Sequence, residues 1–314
     1  MTAHDALTAA VAAANTEYAA AQAEIVRLNA IIAATPPPVV VPPPVVVPPP
    51  VVVPGVLSWK PPTLVSPTTY AIDAAHRKIV IPAGQDAIVK FPDTAVDWAN
   101  GVEIQGGRNV VIIGGLVAFS KDYASAGNDE GKSNRCVYLN GVAVGGVCHV
   151  EGLHFAGEFI FEGFNLNGMS GSIVQLQNCR IDKLKTFLPG PTAPPHYGGD
   201  GFQMFIGGGP KEMRIDRFTI ASSIYQGIWD QGNGDLRDYR NINIRAGGKH
   251  TSFLGGGGTV TTRKAKDVWL YPGTTDSWTS TVGSEWINVP GVTNGDHADF
   301  VPAWTGAYVS PGYL

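Results

Sequence analysis

In the first 34 residues a set of larger or apolar side chains falls at Leu7, Val11, Ala14, Tyr18, Ala21, Ile25, Leu28 and Ile32, in steps that alternate between four and three. That spacing is a heptad seam, with Val11, Tyr18, Ile25 and Ile32 at a and Leu7, Ala14, Ala21 and Leu28 at d. So narrow a stripe is best buried by another helix. Residues 1–35 are therefore predicted to form a self-associating α-helical coiled coil, the alternative being one amphipathic helix docked on its own chain. β-Branched residues at a with Leu at d lean towards two strands, and the Tyr and Ala positions blur that rule. The architecture further along the chain favours three.

Residues 36–54 read PPPVVVPPPVVVPPPVVVP. Each proline fixes φ and withholds a backbone donor, which excludes a helix. A polyproline-II spacer of this length would reach roughly 60 Å at ~3.1 Å per residue. Its three-residue turn shows valine on every side, so no single face is apolar.

From Gly55 onward a weak repeat takes over. One set of segments reads GGLVAF from Gly114, EGLHF from Glu151, QNCRI from Gln177, DRFTI from Asp216, RNINI from Arg240 and KDVWL from Lys266. Aligned, they put Leu116, Leu153, Cys179, Phe218, Ile242 and Val268 in one inward column, and Ala118, Phe155, Ile181, Ile220, Ile244 and Leu270 in a second. Another set, RCVYLNG, EGFNLNG, DGFQMF, QGIWDQG and TSFLGGG, aligns Val137, Phe164, Phe202, Ile228 and Phe253. The offset from each of these to the next member of the first set is 16, 15, 16, 14 and 15 residues, while the distance between copies runs from 24 to 39. Insertions are thus confined to one side of each repeat, as expected when strands must stack and one connection is free to grow. The fold predicted for residues 55–314 is mainly β, a right-handed parallel β-helix (solenoid) of short strands. Asn178, Asn241 and Asp267 share one turn position. From about residue 272 a last coil and a cap are expected, containing Trp278, Trp286 and Trp304.

Composition sharpens this picture. Gly (39) and Pro (24) are abundant and only 15% of residues are charged, which favours turn-dense β structure over an α/β enzyme. A net charge of -4 without a Lys/Arg cluster gives no reason to expect nucleic acid or an anionic membrane as partner. His4 and Asp5 open an alanine-rich stretch unlike a secretory signal, and no uninterrupted apolar run is long enough to insert into a membrane. Cys136, Cys148 and Cys179 match no disulfide framework or metal spacing and read as small buried hydrophobes. The histidines, His149, His154, His196, His250 and His297 among them, are dispersed. No metal and no cofactor are expected.

Heptads, a rigid spacer and a β-helix resemble the tail-fibre and tailspike proteins of tailed bacteriophages, especially minor tail proteins of phages of high-GC actinobacteria. DGFQ at Asp200–Gln203 and HAD at His297–Asp299 resemble coil motifs of the pectate-lyase-like superfamily. The resemblance covers about 250 residues as architecture and only a few as motif. It implies a virion tail protein, a homotrimer or a dimer, attached to other tail proteins through its N-terminal region and facing host cell-surface polysaccharide. A tailspike depolymerase and a non-viral surface adhesin of the same layout are the alternatives.

Chemistry would come from carboxylates on neighbouring coils, since adjacent strands lie about 4.8 Å apart. Glu162 and Asp200 share a column, a spacing near the ~5–5.5 Å of a retaining glycosidase pair. Asp230 is the next carboxylate, but its alignment mate is Met204, four residues beyond Asp200. His196, in the insertion KLKTFLPGPTAPPHYGGD, stands ahead of Asp200 as a candidate general acid. Asn165, Gln203 and Trp229 align with one another and are expected to face outward, amide and aromatic groups suited to a sugar.

Overall fold

The computed structural model describes residues 14–28, 56–94, 96–97, 101–118, 135–157, 160, 162–184, 199–204, 207–223, 226–246, 252–271, 282–304 and 307–311. Residues 14–28 form one helix, α1. Its alanine-rich sequence suits a helix intrinsically, and Glu24 pairs with Arg27 at 2.6 Å. Ala14, Tyr18, Ala21, Ile25 and Leu28 all lie in α1 and are exposed. Leu7, Val11, Ile32 and the proline spacer lie outside the described residues.

The body is mainly β, and every strand pairing among the described residues is parallel. Ten strands build the larger sheet: β1 (Thr68–Ala71), β3 (Ala87–Lys90), β4 (Val96–Asp97), β6 (Val110–Ala118), β8 (Val147–Ala156), β10 (Ile173–Ile181), β12 (Glu212–Ser223), β14 (Gly234–Ala246), β16 (Val260–Tyr271) and β17 (Val292–Asn294). Seven build the smaller: β2 (Lys78–Ile81), β5 (Val102–Gly106), β7 (Arg135–Asn140), β9 (Glu162–Asn167), β11 (Asp200–Met204), β13 (Gln226–Asp230) and β15 (Ser252–Gly255). From β5 to β16 the chain alternates between the sheets, and each strand pairs in parallel with the one two places on. Parallel neighbours need a crossover, and here each crossover contributes a strand to the other sheet. The arrangement is compatible with a parallel β-helix or another solenoid.

The register brings the inward columns together. Phe218 pairs with Ile242 and Cys179 with Phe218, while Val137, Phe164, Phe202 and Ile228 pair in series. Two expected members are each displaced by one residue. Gly115, not Leu116, lies opposite Leu153, and Val117, not Ala118, lies opposite Phe155. The consecutive glycines 114 and 115 offer no side chain to anchor the alignment, and Leu116 packs outside the main core with Val301 and Trp304. Likewise Leu254, not Phe253, pairs with Ile228, and Ser252, not Thr251, pairs with Gln226. Two adjacent large apolar residues leave alternation unable to choose between them.

Five strands of the larger sheet, β8, β10, β12, β14 and β16, are longer than expected because each carries a corner. Gly152, Asn178, Arg217, Asn241 and Asp267 occupy equivalent positions in β8, β10, β12, β14 and β16, and all have φ between 49° and 73°. One left-handed residue inside an extended run redirects the chain and shifts the alternation by one. Met213 and Ile215 before the corner and Phe218 and Ile220 after it are consequently all buried. Asn and Asp tolerate this conformation better than most residues, and Gly best of all.

Described segments on either side of the coils lie against the larger sheet. Trp286 is buried and stacks on Tyr239 at 4.8 Å, with the Arg263 guanidinium 5.8 Å from the ring. Trp304 instead sits beside His154 of β8 at 4.6 Å, and Trp278 lies outside the described residues. Residues 296–304 and 307–311 run across the outer face. Asp299 accepts from Arg180 at 2.5 Å and from Arg245, Val301 N donates to Thr219 Oγ1 at 3.0 Å, and Asn178 Nδ2 donates to Tyr308 Oη at 3.2 Å. The start of the body reaches the same strands: Trp59 N donates to Gln177 Oε1 at 3.1 Å, Gln177 Nε2 donates back to Trp59 O at 2.8 Å, and Arg240 covers the Trp59 ring at 4.9 Å.

Candidate functional site

The smaller sheet presents the candidate residues through a repeated local device. At Gly163 and Gly201 an added Cβ would overlap Ile181 Cδ1 and Ile220 Cδ1, so both glycines turn that side to the core. The next residues, Phe164 and Phe202, are buried in the core as well. Two consecutive inward positions leave Glu162 and Asp200 on the outer side, together with Asn165 and Gln203. Only glycine permits this, because the isoleucines arriving from the larger sheet fill the space that a side chain would need.

Phe164 pairs with Phe202, which sets Glu162 opposite Asp200 on adjacent strands, and Asp200 pairs with Gln226. Both carboxyls are buried, at 6% and 4% exposure. Burial pushes the Asp200 carboxyl well above the usual carboxylate range, and the negative charge of Glu162 beside it adds to the shift. Asp200 Oδ1 has no hydrogen-bond partner among the described residues. Asn165 Nδ2 donates to Glu162 Oε2 at 2.8 Å and to Gln203 Oε1 at 3.0 Å.

Tyr138, Asn165, Gln203 and Trp229 pair in series on consecutive strands. Tyr138, Gln203 and Trp229 are partly exposed, whereas Asn165 is fully covered. The expected outward strip therefore has accessible groups on either side of an amide locked between Glu162 and Gln203. Tyr138 belongs to it too, with Asn167 Nδ2 donating to its hydroxyl at 3.2 Å. Its place in RCVYLNG, opposite Asn165 in EGFNLNG, was the signal that could have found it.

Asp230 pairs with Met204, away from Asp200 along the strand. It is buried in an ion pair with Arg237 at 2.5 Å and also accepts from Gly232 N at 3.0 Å and Tyr239 Oη at 3.4 Å. Arg237 in turn donates to the carbonyls of Gly232 and Pro210. The Asp230 carboxylate is thus engaged by Arg237, Gly232 and Tyr239 together. His196 lies outside the described residues. The three cysteines are buried, and burial pushes the Cys148 and Cys179 thiols up to about 12, leaving no usable thiolate. Among the described residues no group of three or more His, Cys, Asp or Glu is placed to hold a metal ion, and no helix is long and apolar enough to cross a membrane.

Comparison of the chain with protein-family models, with curated proteins and with solved structures finds no match. The site must therefore be read from its own chemistry: an uncharged-prone carboxyl beside a second carboxylate, bordered by amides and two aromatic rings.

Proposed function

We propose that the body is a right-handed parallel β-helix and that the chain is a structural and adhesive component of a bacteriophage tail, a minor tail protein of tail-fibre or tailspike type. In this reading the heptad helix joins three copies and ties them to other tail proteins, and the β-helix holds host cell-surface polysaccharide in the assembled virion. The observation that carries it is the series Tyr138, Asn165, Gln203 and Trp229, stacked strand upon strand with a partly exposed aromatic ring at either end. Flat rings cover the apolar faces of sugars and amides meet their hydroxyls. Immobilised envelope polysaccharides titrated with the full chain test this reading. Trp229→Ala should weaken binding about tenfold, the equivalent of ~1.4 kcal/mol. Unchanged binding would remove the strip from consideration. Light scattering of the full chain beside one starting at Gly55 tests the assembly: loss of a threefold mass on truncation assigns trimerisation to the heptads.

A second reading, a polysaccharide depolymerase acting through Glu162 and Asp200, is favoured by the raised pKa of Asp200, since a carboxyl that keeps its proton near neutrality is what a general acid requires. Oligosaccharide release that Asp200→Asn abolishes, with binding retained, would establish it.

A further inference from the structure

Glu162 and Asp200 face each other across adjacent strands, yet their surroundings differ. Glu162 Oε2 accepts a hydrogen bond from a fully covered amide, Asn165 Nδ2, at 2.8 Å. Asp200 Oδ1, on a residue only 4% exposed, has no hydrogen-bond partner among the described residues. Asn165 has little freedom to turn away, because the same Nδ2 also donates to Gln203 Oε1 at 3.0 Å. An N–H donor stabilises the charged form of the carboxylate that accepts it, and a buried carboxyl without a donor keeps its proton.

We infer that Asn165 is a positioning residue that decides which member of the pair is charged: it holds Glu162 as the anion and leaves the single shared proton on Asp200. The assignment rests on the hydrolase reading for its use, giving Glu162 the nucleophile or base role and Asp200 the acid role. The protonation itself is a property of the free protein. Burial and the Glu162 charge both raise Asp200, in keeping with this split. Two like carboxylates this close cannot both ionise cheaply, so an asymmetric environment fixes the order in which they titrate. Gln203 acts one step further out, as the acceptor that keeps the Asn165 amide turned.

Infrared difference spectra of the full chain at neutral pH, without any sugar, read this directly. A neutral-carboxyl band should be present, be lost in Asp200→Asn, and stay in place when glutamate is labelled with 13C at its carboxyl. In Asn165→Leu the aspartate band should weaken while a band that follows the glutamate label grows. Gln203→Leu, at a partly exposed position, removes the acceptor that keeps the Asn165 amide turned and should shift the same two bands in the same direction to a smaller extent, which covers the case in which Asn165→Leu does not fold. A band that follows the glutamate label in the unsubstituted chain, or a Gln203→Leu spectrum identical to that of the unsubstituted chain, would overturn the inference. So would the absence of any neutral band, or a folded Asn165→Leu with an unchanged spectrum. Failure of the hydrolase reading is scored separately, by oligosaccharide release.

Discussion

Tyr308 lies flat against the backbone of Gly152, so close that a Cβ built on the glycine would overlap ring carbons of the tyrosine. Gly152 is also the corner of β8, with φ of 73°. The other corners carry Asn178, Arg217, Asn241 and Asp267, so the backbone bend alone does not demand glycine here. The docked ring does. Gly152→Asn should therefore cost more than a corner residue normally would, because asparagine tolerates the bend and still collides with the ring. Displacement of the C-terminal segment should expose residues 296–304 and 307–311 to protease, and unfolding midpoints should fall by an amount equivalent to about 2 kcal/mol. Removing the ring in a Tyr308→Ala background should make Gly152→Asn nearly neutral, a coupling that a double-mutant cycle measures.

The same segment should loosen in acid. Asp299 is partly buried, which by itself would raise its carboxyl, but hydrogen bonds and charge from Arg180 and Arg245 outweigh burial and hold it below its ordinary value. Asp296 is lowered too, chiefly by its hydrogen bond from Arg245. A depressed carboxylate contributes stability above its unfolded pKa, about 3.9, and loses it as pH falls through the folded value. Docking of residues 296–304 should thus hold from neutrality down to about pH 4 and weaken below it. Trp304 fluorescence and proteolysis across pH 3–7 follow this directly, and Asp299→Asn should show the loosening already at pH 7.

How much of this was legible follows from which contacts repeat. Phe218 and Ile242 could be paired from sequence because inward columns recur with a nearly fixed offset, and Glu162 and Asp200 share that register. Leu116 and Leu254 defeated the same reasoning where glycines or adjacent apolar residues left the phase open. The corner column was visible as Asn178 and Asn241, but not as a left-handed bend inside a longer strand. Nothing periodic announces that Asp299 reaches Arg180, 119 residues away, or that Tyr308 reaches Gly152. The bond from Asn165 to Glu162 was hidden because residues three apart in a regular strand face opposite sides, and the Gly163–Phe164 irregularity reverses that.

Asp230 and Arg237 are buried as a pair in the core, and removing one partner leaves the other charge stranded. Asp230→Asn or Arg237→Met should each cost about 3–5 kcal/mol in urea unfolding, whereas replacing both with apolar residues of similar volume should recover much of the loss. Arg237 will be the costlier single change, because the Gly232 and Pro210 carbonyls lose their donor as well.

Asp200 makes the opposite pH prediction to Asp299. Its folded pKa is raised, first by burial and then by Glu162, so the native state binds a proton that the unfolded chain releases above about pH 4. Stability therefore declines as pH climbs from the unfolded value towards the folded one, the reverse of the usual carboxylate case. Asparagine matches the neutral acid in shape and cannot ionise, so Asp200→Asn should be close to neutral near pH 4 and increasingly stabilising towards pH 8 when chemical denaturation is compared across that range. A variant less stable than the unsubstituted chain at pH 8 would mean that Asp200 is charged in the folded protein. That result would remove the physical basis for giving it an acid's role.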